Sequence, residues 1–98
     1  MSFHVYMLQC ADGSYYVGHT DNLEARIVQH ESGDIPGYTS GRRPVRLVWC
    51  EEFDTRDDAF LRERQVKGWT RRKKEALIAG DWTRLVVLSR AQGSTGSP

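Results

Sequence analysis

Phe3-His4-Val5-Tyr6-Met7-Leu8-Gln9 is followed by Cys10-Ala11-Asp12-Gly13-Ser14 and then by Tyr15-Tyr16-Val17-Gly18. This stretch decides the fold. Its first seven residues alternate apolar and polar in part and are rich in β-formers, which predicts a strand. Asp12-Gly13 suits the positive φ angles of a tight turn, and Tyr15 to Gly18 reads as the returning strand. The chain thus opens on a β-hairpin.

Outward from the hairpin, Asp21 is the expected N-cap of a first helix, with Glu24 placed to close a capping box. Leu23, Ile27 and Val28 give that helix an apolar stripe, and Gly33 stands where a left-handed C-terminal residue is wanted. Ser32 to Pro44 carries three glycines, two prolines and the pair Arg42-Arg43, the composition of a surface loop. Val45 to Trp49 alternates again and predicts a third strand, with Val45, Leu47 and Trp49 on one face. Thr55, with Asp58 three residues on, opens a second helix to about Trp69, and Thr70 caps a third that ends near Gly80. Asp81 to Arg90 reads as a last helical segment or, through Leu85-Val86-Val87-Leu88, as a strand. Ala91 to Pro98 is small and polar, and a disordered tail is expected there. The order β-β-α-β-α-α predicts an α/β fold, a small sandwich with a three-stranded central sheet, in one domain over residues 1–90.

Composition bounds what such a domain can do. Of 98 residues, 39% are hydrophobic and 28% charged, enough for one modest core and too little chain for two domains. The start, Met1-Ser2-Phe3-His4, lacks the basic and apolar regions of a secretory leader. No apolar run approaches the length of a membrane helix. Cys10 and Cys50 are isolated, which predicts two free thiols and a cytoplasmic setting. The formal charge of +1 argues at face value against a polyanionic partner, but it averages unlike segments. Residues 1–49 carry a net −1, residues 50–61 a net −4 and residues 62–98 a net +6. The chain is polarised.

Several positions ask for more than packing. Arg26 and His30 lie four residues apart and share a helix face, either as a solvated pair or as an anion clamp beside a proton-handling imidazole. Glu63 falls inside the apolar arc of its helix, with Ala59 and Val66, where a carboxylate is costly unless paired or metal-bound. Lys67 could satisfy it as an i,i+4 partner, and a divalent ion sharing substrate phosphate oxygens would suit it equally. Tyr6, Tyr15 and Tyr16 in the hairpin are ordinary strand packing or two phenols presented to one small volume. Arg62, Arg64, Lys67, Arg71, Arg72, Lys73 and Lys74 cluster around Trp69, either as a solvated helix face or as a phosphate track with an aromatic for stacking.

Taken in order, these positions resemble the GIY-YIG nuclease superfamily. Val5-Tyr6-Met7 is similar to its first motif with only the tyrosine kept, and Tyr16-Val17-Gly18 is similar to the second. Asn22-Leu23, Arg26 and His30 follow the family's helix pattern, and Glu63 matches its later carboxylate. The short chain and the ending Val66-Lys67-Gly68-Trp69 resemble the small stand-alone bacterial branch of the superfamily. The likeness spans roughly residues 3–80. It departs in the Gly and Ile of the first motif and in the late Asn of some members, since Asn22 is the only asparagine.

The resemblance implies a metal-dependent endonuclease that hydrolyses nucleic-acid phosphodiesters, of DNA before RNA, structure-selective or weakly sequence-specific, with a place in DNA repair. It implies that Tyr6, Tyr16, Arg26, His30 and Glu63 converge on one face. Glu63 would ligate one Mg²⁺ or Mn²⁺, Tyr6 would be the general base with its phenol acidified by nearby cations, and Tyr16 would orient water or phosphate. Arg26 would stabilise the phosphoryl charge, and His30 would contact the phosphate or help Tyr6 lose its proton. Gly18 would admit the substrate backbone, with Arg42, Arg43 and the run from Arg62 to Lys74 gripping its flanks. No membrane is implied, and a protein partner or homodimer stays open. Two other readings remain: a nucleic-acid-binding module that does not cut, and a protein-interaction domain that keeps only the fold.

Overall fold

The computed structural model describes residues 2–34 and 37–96, with side chains as far as residue 90. It divides into two compact units, Met1–Lys67 and Gly68–Pro98. The first unit holds β1 (Phe3–Gln9), β2 (Tyr15–Thr20), α1 (Leu23–Ser32), β3 (Arg46–Phe53) and α2 (Arg56–Lys67). The second holds α3 (Arg71–Ala79) and α4 (Trp82–Gly96).

The hairpin forms as its sequence predicts. Gly13 takes φ +86 at the turn, and the Asp12 carboxylate accepts from the Ser14 amide at 3.0 Å. The sheet is antiparallel with strand order β2-β1-β3. As the central strand, β1 is buried on both faces: Val5, Tyr6, Met7 and Leu8 are all at most 1% exposed. Tyr6 and Leu8 point to one face, where Cys10 and Val45 join them and Leu23 and Ile27 of α1 pack on top. On the other side α2 lies along β1 and β2. Both cysteines are free, Cys10 buried and Cys50 exposed.

Two local expectations are corrected. The N-cap of α1 is Asn22, whose Oδ1 accepts from the Ala25 amide at 3.2 Å. The Thr20 hydroxyl takes the Asn22 amide at 3.1 Å, which sets the turn one residue later and leaves Asp21 outside, 3.9 Å from Arg56. The third strand runs on to Phe53, through a half-buried Glu51 and an exposed Glu52 that an edge strand can carry. A bulge breaks its alternation, because Met7 pairs with Trp49 while Leu8 pairs with Leu47. Val48 is the extra residue, so Trp49 stands with Met7 on one face while Leu47, 38% exposed, keeps to the other with Leu8 and the buried Val45, and Val45, Leu47 and Trp49 do not share a face. The caps at Gly33 and Gly80, both left-handed, and at Thr70 are as read from sequence.

In the second unit the Asp81–Arg90 segment is helical. The Asp81 carboxylate accepts from the Arg84 amide at 3.0 Å, an N-cap that a strand has no use for. The tail expected at 91–98 begins inside α4; the side chains of 91–96 and the whole of 97–98 lie outside the described residues. Among the described residues no helix is long and apolar enough to cross a membrane.

Candidate active site

The centre of the site follows from one strand pairing. Tyr6 stands opposite Gly18 in the β1–β2 register, and its phenol lies across the glycine. A Cβ at position 18 would sit 2.6 Å from the Tyr6 hydroxyl and 2.8 Å from its Cζ. Gly18 therefore makes room for the tyrosine, where the sequence had assigned it to the approach of substrate. The Tyr6 hydroxyl lies 3.0 Å from His30 Nε2, and His30 Nδ1 lies 2.7 Å from the Thr39 hydroxyl. All three side chains are buried. The Tyr16 ring closes the group, its centroid 5.1 Å from His30 and 6.3 Å from Tyr6. Tyr38 continues the aromatic column 6.0 Å from Tyr16, with the Arg42 guanidinium 4.1 Å over its ring.

Arg26, one helical turn before His30, is close enough to act on Tyr6 as a positive charge and as a hydrogen-bond donor. That was expected to acidify the phenol. Burial acts the other way and prevails: it lifts Tyr6 well above its ordinary 10, and the Tyr16 and Glu63 charges add to the rise. Removing a phenolate from water costs more than one partly solvated cation returns. Burial also lowers His30 from its ordinary 6.5, with Arg26 pushing the same way. At neutral pH the pair is a neutral phenol beside a neutral imidazole.

Glu63 arrives from the opposite side. His19 pairs with Val5, one residue along from the Tyr6–Gly18 pair, so its side chain lies on the other face of the sheet. There His19 Nδ1 contacts Glu63 Oε1, and Lys67 Nζ lies 2.8 Å from Glu63 Oε2. The five predicted residues do not share one face. Tyr6, Tyr16 and His30 are together, and Arg26 and Glu63 are near enough for their charges to be felt at Tyr6. Burial raises the Glu63 pKa, but hydrogen bonds and charge from Lys67 and His19 outweigh it and hold the carboxyl below its ordinary range. Glu63 is an anion at neutral pH.

Among the described residues no three His, Cys, Asp or Glu side chains cluster as a metal cage. An ionised, nearly buried carboxylate still fits a hard divalent ion of the Mg²⁺ kind, which keeps waters and takes substrate oxygens instead of demanding an all-protein shell. Glu63 would hold it, in exchange for its contact with Lys67.

The basic residues are less free than their spacing promised. Arg42 is tied to Asp12 at 3.0 Å and to the Tyr38 carbonyl at 2.8 Å. Arg43 donates to the Ser32 carbonyl at 3.0 Å and to that of Ser40 at 3.3 Å, beyond the last turn of α1. On α2, Arg62 pairs with Glu51 at 3.3 Å and Gln65 at 2.7 Å, and Arg64 lies over Phe60. In the second unit Arg71 pairs with Glu75 at 3.1 Å, and Lys73 is buried with its ammonium 4.6 Å over Trp69. Arg72 is exposed and Lys74 half-buried. Exposed pairs of this sort are weak and can yield to a phosphate, whereas a buried Lys73 cannot reach one as it stands.

Three residues escaped the sequence: Thr39, Tyr38 and His19. Thr39 meets His30 nine residues away through a loop, and no periodicity signals such a contact. His19 was visible as a histidine beside Gly18, but only the register with Val5 and the placement of α2 give it a carboxylate.

The profile of the GIY-YIG catalytic domain matches residues 2–76, and the chain belongs to that family of nucleases. Its relatives include a UPF0213 protein of Natronomonas pharaonis, 45% identical over 78 residues that cover 80% of this chain and 92% of the relative. A UPF0213 protein of Staphylococcus saprophyticus is 43% identical, covering 78% and 93%. These small stand-alone members occur in archaea as well as bacteria, which widens the bacterial branch expected from sequence. Two solution NMR structures resemble the fold. The UPF0213 protein of Bacillus halodurans has a TM-score of 0.54 at 44% identity, covering 81% of this chain and 84% of that one. A protein of E. faecalis has a TM-score of 0.59 at 38% identity, covering 85% and 88%.

Proposed function

We propose that the chain is a divalent-metal-dependent endonuclease that hydrolyses DNA phosphodiesters with weak sequence preference, its residues 1–90 acting as one domain. The buried Tyr6–His30 hydrogen bond carries the reading, because a phenol placed on an imidazole in a dry site has a use in proton transfer and little in stability. The match over residues 2–76 runs past the division at Lys67 and supports a single functional domain.

The neutral Tyr6 cannot wait as a phenolate. It takes a proton from the attacking water as its own hydroxyl proton passes to His30 Nε2, so that no buried phenolate is formed. The water oxygen bonds to phosphorus, the bond to the leaving strand breaks, the leaving oxygen takes a proton from solvent, and His30 returns its extra proton through Tyr6 to solvent, which restores the neutral pair. Tyr16 orients the water or the phosphate. Arg26 faces the charge that grows on the phosphoryl oxygens, where a fixed donor is worth most. Glu63 would hold a Mg²⁺ or Mn²⁺ ion, which would supply Lewis-acid stabilisation of that same charge. Arg62, Arg64 and Arg71 give up weak surface contacts for flanking phosphates, which Lys67, Arg72 and Lys74 also contact.

The test is cleavage of a labelled panel of linear, branched and single-stranded DNA with Mg²⁺ or Mn²⁺, by the wild type and Glu63→Ala. Metal-dependent cutting lost in the variant is the expected result. Binding by both proteins with no cutting by either would make the domain a binding module. No binding at low salt would leave a protein-docking domain.

A further inference from the structure

We propose that Thr39 is a positioning residue of this site: its hydroxyl accepts the Nδ1 hydrogen of His30 and so fixes the tautomer whose Nε2 receives the Tyr6 proton. The use of that tautomer rests on the nuclease reading above; the hydrogen-bond arrangement does not.

Tyr6, His30 and Thr39 are 1%, 1% and 2% exposed, and their polar atoms form one line, 3.0 Å from phenol to Nε2 and 2.7 Å from Nδ1 to the threonine hydroxyl. A neutral imidazole carries a single hydrogen, so the line runs one of two ways. Either Tyr6 donates to Nε2 and Nδ1 donates to Thr39, or Thr39 donates to Nδ1 and Nε2 donates to Tyr6. A phenol is a stronger donor and a weaker acceptor than an aliphatic alcohol. The Arg26 positive charge felt at the Tyr6 phenol strengthens it further as a donor and weakens it as an acceptor. Both effects select the first direction. Burial and Arg26 keep the ring neutral, so Nε2 stays open to accept.

The loop that carries Thr39 is fastened at two places. Arg42 ties it to the hairpin turn through Asp12, and its amide donates to the Thr39 carbonyl at 3.1 Å. Arg43 ties it to the C-terminal carbonyls of α1. The two arginines thereby hold the hydroxyl against the ring from a segment that no helix or strand stiffens.

The test is ¹⁵N NMR of histidine-labelled protein at neutral pH, with the His30 signals assigned by their loss in His30→Asn. The wild type and Thr39→Ser are expected to carry the hydrogen on Nδ1 with Nε2 bare, and Thr39→Val to move it to Nε2. Tyr6→Phe is expected to keep it on Nδ1, and this variant decides the matter alone if Thr39→Val does not fold. A wild-type hydrogen on Nε2, an unchanged spectrum in Thr39→Val, or a flip in Tyr6→Phe would overturn the proposal. In cleavage assays Thr39→Val should lose on the order of tenfold or more in kcat with little change in KM, as when the group behind a functional imidazole is removed, and Thr39→Ser should recover it. Absence of cleavage by the wild type would sink the nuclease reading alone, since the ring spectrum judges Thr39 by itself.

Discussion

Gly18 and His30 show how much of the site is decided at single residues. Position 18 has to lack a side chain, because the volume a Cβ needs is filled by the Tyr6 phenol. That phenol is buried and hydrogen-bonded, so it cannot swing aside. Gly18→Ala is expected to cost about 1–3 kcal/mol, the range for overpacking a core, and to abolish cleavage by moving the hydroxyl; urea titration and the DNA assay check the two parts. His30 makes the stability depend on pH. Its folded pKa lies below the ordinary 6.5, so between the two values the unfolded chain binds a proton that the folded chain refuses. Stability is fully present above about 6.5, falls as the pH drops below that value, and levels off beneath the folded pKa. Denaturation series at pH 7.5 and 5.5 should show the loss, and His30→Gln should flatten it. A slope unchanged in His30→Gln would assign the effect elsewhere.

The elements carry those residues into place. Helix α1 is legible from Leu23 and Ile27, which pack on the core, to Gly33, but Val28 of the expected stripe is turned out at 61% exposure, and the cap stands one residue beyond Asp21 because Asp21 and Asn22 are both good caps. What decides between them is the Thr20 hydroxyl, which holds the Asn22 amide. Asn22→Ala should therefore destabilise the protein by about 1 kcal/mol, and Asp21→Ala by only a few tenths, given its exposed and distant Arg56 partner. Equal losses in thermal unfolding would return the cap to Asp21. In β3 the bulge at Val48 could not be read from alternation, since inserting one residue reverses every later side chain.

For the whole molecule, the net charge of +1 limits how tightly it holds a polyanion, and many of its cations already have partners. Binding should be weak and electrostatic. Affinity for a short duplex, measured by fluorescence anisotropy, is expected to fall roughly tenfold or more between about 50 and 200 mM salt if two or more phosphates are neutralised. An affinity indifferent to salt would point to a partner other than nucleic acid.

The sequence alone determined the hairpin, the order of elements as far as α3 and four of the residues that meet beside β1, while α4, which it left open between helix and strand, was settled by the structure. Those features are written in periods of two and of 3.6, in turn chemistry and in motif spacing, all of which are local. The tertiary structure decided the rest. It raised the Tyr6 pKa where neighbouring cations promised to lower it, because burial is a property of the packed core. It brought Glu63 to His19 on the face of the sheet opposite Tyr6, because the strand register sets which face each residue takes. And it set Thr39 behind His30, in a loop that Arg42 and Arg43 tie to the hairpin turn and to α1.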